Sequence, residues 1–307
     1  MASKTWTTSN IPSQEGQVAI ITGANSGMGY EASLALAKQG ATVIMACRNK
    51  AKAKAALAQI KQAVPKAKVE VMDLNLASQQ SIRAFATAFT AKYDRLDLLL
   101  NNAGIMMVPY GTTEDGFELQ LGTNHLGHFA LTGLLMDVIK ASEGARVVTM
   151  SSGAHTMARV NFDNLQYEGG RGYSPSFAYG RSKLANLLFT YALQRKFEAD
   201  NIPAISLAAH PGGAQTNLGS HMEKTLMGKL MKPIMSRTMQ SAAMGALPIL
   251  RAATDPNAKG GQYYGPDGFT GNTGYPILVK SSKRSHDQVS QDRLWTLSEQ
   301  LTGVSYL

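Results

Sequence analysis

Short runs of aliphatic and β-branched residues alternate with longer alanine-rich stretches along the first two thirds of the chain. This rhythm restricts the fold more than any other feature. Residues 17–22 (QVAIIT) read as a buried strand, 27–39 as a helix with Ala32, Ala35 and Leu36 at helical spacing, and 41–46 (ATVIMA) as a strand. Helix 50–63, strand 68–72 (KVEVM), helix 78–93 and strand 96–100 (LDLLL) follow. A helix around 116–141, strand 145–151, helix 177–199 and strand 204–209 extend the series. Strands and helices alternating at this length demand crossover connections. The expected fold is α/β, a doubly wound parallel sheet with helices on both faces.

The rhythm fails at residues 211–275, which hold a methionine-rich stretch and then a glycine-rich one (GGQYYGPDGFTGNTGYP). No linker, repeat or low-complexity tract divides the chain, so residues 1–307 are expected to form a single domain with 211–275 inserted in it. An insertion after the C-terminal end of a strand lies near the ligand crevice of such a sheet, and this one is read as a substrate lid.

Composition narrows the function. With 44% hydrophobic and 17% charged residues the chain is too apolar to be disordered. No apolar run approaches the ~20 residues of a membrane helix. The first residues, MASKTWTTSNIPSQEGQ, lack the apolar core of a secretory signal. The single cysteine, Cys47, excludes an internal disulfide framework and points to a cytoplasmic protein. One cysteine and six histidines argue against a metal site. The balance of 30 basic to 21 acidic residues gives a net charge of +9, but no nucleic-acid motif accompanies it. A solvated basic surface is the reading, with no nucleic-acid partner.

The first predicted strand ends in Thr22-Gly23-Ala24-Asn25-Ser26-Gly27-Met28-Gly29, spaced G-x-x-x-G-x-G. Glycines here let the backbone bend sharply and approach a pyrophosphate, and the following helix offers free N–H groups to it. Directly after the first strand of a Rossmann sheet, such a turn marks a dinucleotide site. Gly23, Asn25, Ser26, Gly27, Met28 and Gly29 are its candidate contacts. The second predicted strand ends in Ala46-Cys47-Arg48-Asn49, with no acid to accept from a ribose 2′-hydroxyl. A guanidinium pairs with a 2′-phosphate and stacks on adenine, so Arg48 points to NADP(H). The plainer alternative is an exposed arginine at a helix start.

Tyr179 and Lys183 lie four apart and share a helix face. A nearby ammonium stabilises the anion of a phenol, which otherwise exchanges protons poorly at neutral pH. Such pairs are common on solvated helices. Two neighbours single this one out: Ser151-Ser152 at the end of the fifth predicted strand, and Asn101-Asn102-Ala103-Gly104 at the end of the fourth. Ligands bind at those strand ends in open α/β sheets.

With these elements assembled, the chain resembles the short-chain dehydrogenase/reductase family. The matching elements run in the family's order over residues 17–217: Thr22–Gly29, Asp73, Asn101–Gly104, Asn124 in Thr-Asn-His-Leu-Gly, Ser152, Tyr179 with Lys183, and His210-Pro211-Gly212 followed by Thr216. Within the family it is most similar to the retinol-dehydrogenase-like and protochlorophyllide-reductase-like branch. That likeness rests on Ala46-Cys47-Arg48, on YGRSKLAN from Tyr179 to Asn186, and on Leu294-Trp295 with Ser298-Glu299. The interval of 27 residues from Ser152 to Tyr179 is double the commonest family spacing, as in that branch.

The resemblance implies roles. Tyr179 would be the general acid/base, with Lys183 lowering its pKa and holding the nicotinamide ribose. Ser152 would hydrogen-bond the substrate oxygen. Asn124 would position a water in a proton relay behind Lys183. Asp73, with Leu74 beside it, would contact adenine. Asn101, Ala103 and Gly104 would line the adenosine side, and Pro211, Gly212 and Thr216 would border the nicotinamide. The expected function is NADP(H)-dependent interconversion of an alcohol and a carbonyl in a small apolar substrate. The alternatives are a non-catalytic dinucleotide-sensing regulator and a C=C reductase on the same scaffold.

Three further signals stand apart. His125 and His128, three apart on a helix, are read as helix-surface or interface residues rather than a metal pair, since no carboxylate or third ligand stands nearby, and an oligomer stays possible. His155, just past Ser152, is a candidate substrate contact. Met222, Met227, Met231, Met235, Met239 and Met244 are read as a lid spanning about residues 218–245, with core packing or a basic membrane-facing surface as the competing readings.

Overall fold

The computed structural model describes residues 5–213 and 239–306. β1 (Val18–Thr22) is buried at all five positions. A strand with no polar alternation needs cover on both faces, and β1 lies inside an eight-stranded sheet of order β3-β2-β1-β4-β5-β6-β7-β8. The other strands are β2 (Thr42–Cys47), β3 (Val69–Asp73), β4 (Leu98–Asn101), β5 (Ala145–Met150), β6 (Ala204–Ala209), β7 (Tyr263–Pro266) and β8 (Pro276–Leu278). All neighbours run parallel except the edge pair β7–β8. Strands β1 to β6 fall within two residues of the sequence reading at each end.

Helices cover both faces. α1 (Gly27–Lys38), α2 (Lys50–Ala63) and α8 (Ala242–Thr254) close one core through Ala32, Leu36, Ile60, Ile249 and Leu250. α3 (Gln79–Thr90), α5 (Gly127–Leu134), α7 (Pro175–Ala199) and α9 (Gln288–Thr302) close the other. α7 starts with Pro175, whose missing N–H costs nothing in a first turn, and is buried on every side from Ala178 to Gln194. The second core is finished by the last residues described. Trp295 stands 5.1 Å from Phe129 between ring centres, and Tyr306 stands 4.7 Å from it. Among the described residues no helix is long and apolar enough to cross a membrane.

The helix expected around 116–141 is a broken series: α4 (Leu119–Leu121), a π turn (Gly122–Leu126), α5, and α6 (Met136–Lys140). Its backbone is pressed against its neighbours. A Cβ at Gly122 would stand 2.5 Å from Thr113 Cγ2, and one at Gly127 would stand 2.4 Å from the Leu76 carbonyl oxygen. The π turn carries Asn124, in keeping with the tendency of such turns to mark functional sites.

Residues 211–275 are not a single insertion. α8 packs on α1, with Met244 half-buried against the same core, and β7 extends the sheet beside β6. Residues 214–238, which include Thr216 and most of the stretch read as a lid, lie outside the described residues.

Candidate active site

β1 pairs with β2 on one side and β4 on the other, so the chain leaves these strands toward opposite flanks and a crevice opens at their C-terminal ends. A cleft of about 570 Å³ occupies that place. Gly23, Asn25, Ser26, Gly27, Met28 and Gly29 form its floor. Ser26 caps α1 without a side-chain hydrogen bond, which leaves first-turn amides available to an anion. Gly29 has no room for a side chain: a Cβ would stand 2.4 Å from the Gly23 carbonyl oxygen and 2.7 Å from Asn102 Nδ2.

The turn is locked to the loop after β4. Thr22 Oγ1 accepts from the amides of Asn102 (3.0 Å) and Ala103 (2.9 Å), and Asn102 Nδ2 donates to the Thr22 carbonyl (2.8 Å). His128 joins them. Its Nδ1 donates to the Asn124 carbonyl (3.0 Å), so its Nε2 is left to accept from the Thr22 hydroxyl (2.9 Å). His125 pairs through Nε2 with Ser298 Oγ (2.9 Å). Both imidazoles are buried, which corrects the reading of a surface or interface pair. The intended outward face is instead wedged between the sheet and α9. Burial pulls the pKa of His128 down to about 4 and that of His125 to about 3.

Arg48 is exposed on the cleft wall beside Asn49 and Lys52. Cys47 lines the same wall from within, its thiol pushed up to about 11 by burial. Asp73 does not line the cleft. It pairs with Lys50 at 3.0 Å in solvent, while Leu74 turns inward. Asn101 also turns away, donating to Thr132 Oγ1 (3.2 Å) inside the core, and Asn102 faces the cleft in its stead. Adjacent positions at a strand end point to opposite faces. Ala103 and Gly104 line the cleft as expected.

The cleft ends at Gly104. A Cβ there would lie 3.1 Å from Asn124 Oδ1 and 3.4 Å from Lys183 Nζ, so glycine keeps open the small space those groups face. Asn124 spends both amide protons on the protein, donating to the Ile105 carbonyl (2.9 Å) and Ser182 Oγ (2.9 Å), and its Oδ1 accepts from the Ile105 amide (2.8 Å). It therefore holds the loop after β4. Lys183 donates to the Met150 carbonyl (3.0 Å), and burial draws its pKa down to about 8. Its Nζ lies 5.8 Å from the centre of the Tyr179 ring. Burial raises the pKa of the Tyr179 phenol, while the neighbouring Ser152 hydroxyl acts in the opposite direction. Ser152 Oγ accepts from the Ala154 amide (3.2 Å), which leaves its proton free to donate outward. Ser151 Oγ donates to the Lys183 carbonyl (2.9 Å) and ties β5 to α7.

Asn124, Ser152, Tyr179 and Lys183 thus come together just past the lined cleft. Pro211 and Gly212 sit at the end of β6, outside the lining, where the Pro211 carbonyl accepts from Gln240 Nε2 (2.7 Å). His155 is buried, with its ring nitrogens engaged by the Ser152 carbonyl and the Ser282 amide, and does not line the cleft. Chemically, the arrangement offers a phenol and a hydroxyl as proton donors, a buried ammonium, and an anion-binding turn within one crevice.

The family model for short chain dehydrogenases matches residues 17–226. Retinol dehydrogenase 14 of Mus musculus is 38% identical over 302 residues, covering 94% of this chain and 86% of its own length. Retinol dehydrogenase 12 of Homo sapiens is 38% identical over 292 residues, with 95% and 88% covered. A crystal structure of an uncharacterised protein from Mycobacterium Paratuberculosis matches with a TM-score of 0.82 and 42% identity over 99% of both chains. A short chain dehydrogenase from Shigella flexneri, complexed with NADP, matches with a TM-score of 0.62 and 22% identity over 81% of this chain and 96% of its own, a likeness of fold.

Proposed function

The chain belongs to the short chain dehydrogenase family of oxidoreductases, and from that premise we propose that it interconverts an alcohol and a carbonyl in an apolar small molecule with NADP(H). One observation carries the reading. Asn124, Ser152, Tyr179 and Lys183 meet at the Gly104 end of a cleft whose far wall, past β1, carries Arg48 and Lys52. The retinol dehydrogenases to which the chain is similar support an apolar alcohol as the substrate class. The lone, buried Cys47 supports a cytoplasmic setting.

The glycine turn and the open N-terminus of α1 fit a pyrophosphate, and Arg48 with Lys52 fits a 2′-phosphate. The cofactor, when bound, supplies or takes the hydride. The chain's own groups handle binding and protons. The Ser152 hydroxyl donates to the substrate oxygen, and Tyr179 transfers its proton to that oxygen as negative charge develops. The Lys183 ammonium favours the phenolate that remains. Asn124 holds the loop that shapes the crevice.

The test is a panel of aldehydes of increasing chain length, ending in retinoids, with NADPH or NADH followed by absorbance. NADPH should be oxidised faster, and kcat/KM should rise with chain length by up to about 0.8 kcal/mol per buried CH₂. Equal use of the two cofactors would overturn the NADP(H) assignment. Tight NADPH binding with no turnover of any carbonyl would favour a sensor, and turnover confined to conjugated double bonds would favour a C=C reductase.

A further inference from the structure

We propose that His155 is a positioning residue for Ser152, clasping the turn that carries this hydroxyl to the C-terminal segment at Ser282. The inference rests on the reading that Ser152 donates to the substrate oxygen. His155 is only 3% exposed. Its Nδ1 lies 2.6 Å from the Ser152 carbonyl oxygen, and its Nε2 lies 3.0 Å from the Ser282 amide nitrogen. A backbone N–H can only donate, so Nε2 must be the bare, accepting nitrogen. A carbonyl can only accept, so Nδ1 must carry the proton. Both neighbours select the same neutral tautomer.

The clasp acts where Ser152 is set. The Ser152 carbonyl also accepts from the His155 amide (3.1 Å), and Ser152 Oγ accepts from the Ala154 amide (3.2 Å). Three hydrogen bonds therefore fix the peptide plane and the hydroxyl rotor of one residue. A second tie joins the same two segments: Arg284 Nη1 donates to the carbonyls of Thr156 (3.2 Å) and Ala158 (3.1 Å). The His155 ring stands edge-on to Tyr263 of β7 with ring centres 5.8 Å apart, which stops it from swinging inward. The C-terminal segment thereby reaches the reacting end of the crevice without lining it.

Two measurements test this. In protein labelled with ¹⁵N at histidine, with the His155→Asn spectrum used for assignment, His155 should show a protonated Nδ1 and a bare Nε2. An Nε2–H tautomer would overturn the clasp whether or not a substrate is known. In turnover, His155→Ala should lower kcat roughly ten- to hundredfold while leaving the NADPH dissociation constant within about twofold, because misplacement of one donor acts on the reaction step. His155→Asn, whose amide N–H can stand in for Nδ1 toward Ser152 but which is too short to reach Ser282, should recover only part of that loss. His155→Gln, whose carbonyl can stand in for Nε2 toward Ser282, should recover less. Equal recovery by both, losses that simply follow Tm, or an alanine variant with wild-type kcat would overturn the role. Failure of the wild type on every carbonyl would instead strike the alcohol–carbonyl reading, and the tautomer would still decide whether the clasp exists.

Discussion

Lys183 should make the protein less stable than it would be with an apolar side chain of the same length. Its pKa of about 8, against 10.5 for a solvated lysine, comes from burial alone. At about 1.36 kcal/mol per pKa unit, the gap corresponds to roughly 3 kcal/mol of destabilisation. The sign follows from proton counting. Below pH 8 both folded and unfolded chains hold the proton, and the full cost is present. Between 8 and 10.5 the folded chain releases it first and the cost fades; above 10.5 it is gone. Lys183→Met keeps the length and removes the charge. It deletes one hydrogen bond, worth about 1 kcal/mol, but leaves no orphan, because the Met150 carbonyl still accepts from Asn186 Nδ2 at 2.9 Å. The variant should therefore gain about 2 kcal/mol at pH 7. For a chain of 307 residues that is a rise in Tm of roughly 3 °C. At pH 9.5 only about 1 kcal/mol of the cost remains, so the gain should nearly vanish. Thermal unfolding followed by circular dichroism, with no nucleotide added, measures both. A variant no more stable than the wild type at pH 7, or a gain independent of pH, would refute the reasoning. The same substitution should abolish turnover.

Three further outcomes are expected. Tyr179→Phe should bind NADPH as the wild type does by fluorescence titration, yet lose about 10²- to 10⁴-fold in kcat, the contribution of a positioned proton donor. Arg48→Ala should weaken NADPH by roughly 1.5–3 kcal/mol and NADH much less, as calorimetric titration of both nucleotides would show. Gly29→Ala must displace the Gly23 carbonyl or Asn102, so it should cost about 1–3 kcal/mol in chemical denaturation and weaken both cofactors together.

The sheet was readable wherever burial on both faces leaves an unbroken apolar run, as in Val18–Thr22 and Leu98–Leu100. β7 and β8 were not, because Tyr263–Pro266 is four residues long and flanked by glycines that read as loop. The strand character of β7 comes from pairing with β6, and that of β8 from pairing with β7, which no local signal announces. Ser152, Tyr179 and Lys183 are legible as neighbours because they occupy a strand end and one helix face. Asn101, which the family resemblance puts on the adenosine side, faces the core while Asn102 faces the cleft, because the pleat phase at a strand end decides which neighbour points outward and a one-residue slip inverts it. The buried settings of His128 and His155 are not legible locally, because their partners, Thr22 and Ser282, lie 106 and 127 residues away in the chain.

The aromatic stack that finishes the second core bears on how the protein is made. Phe129 and Phe189 are covered by Trp295 and Tyr306, and Tyr306 follows Phe189 by 117 residues. A ribosome adding roughly 5–20 residues per second leaves that face of the nascent sheet bare for about 6–23 s. During synthesis the open face is an adhesive surface of buried-type aromatics, and a chaperone would have to shield it until the last helix emerges.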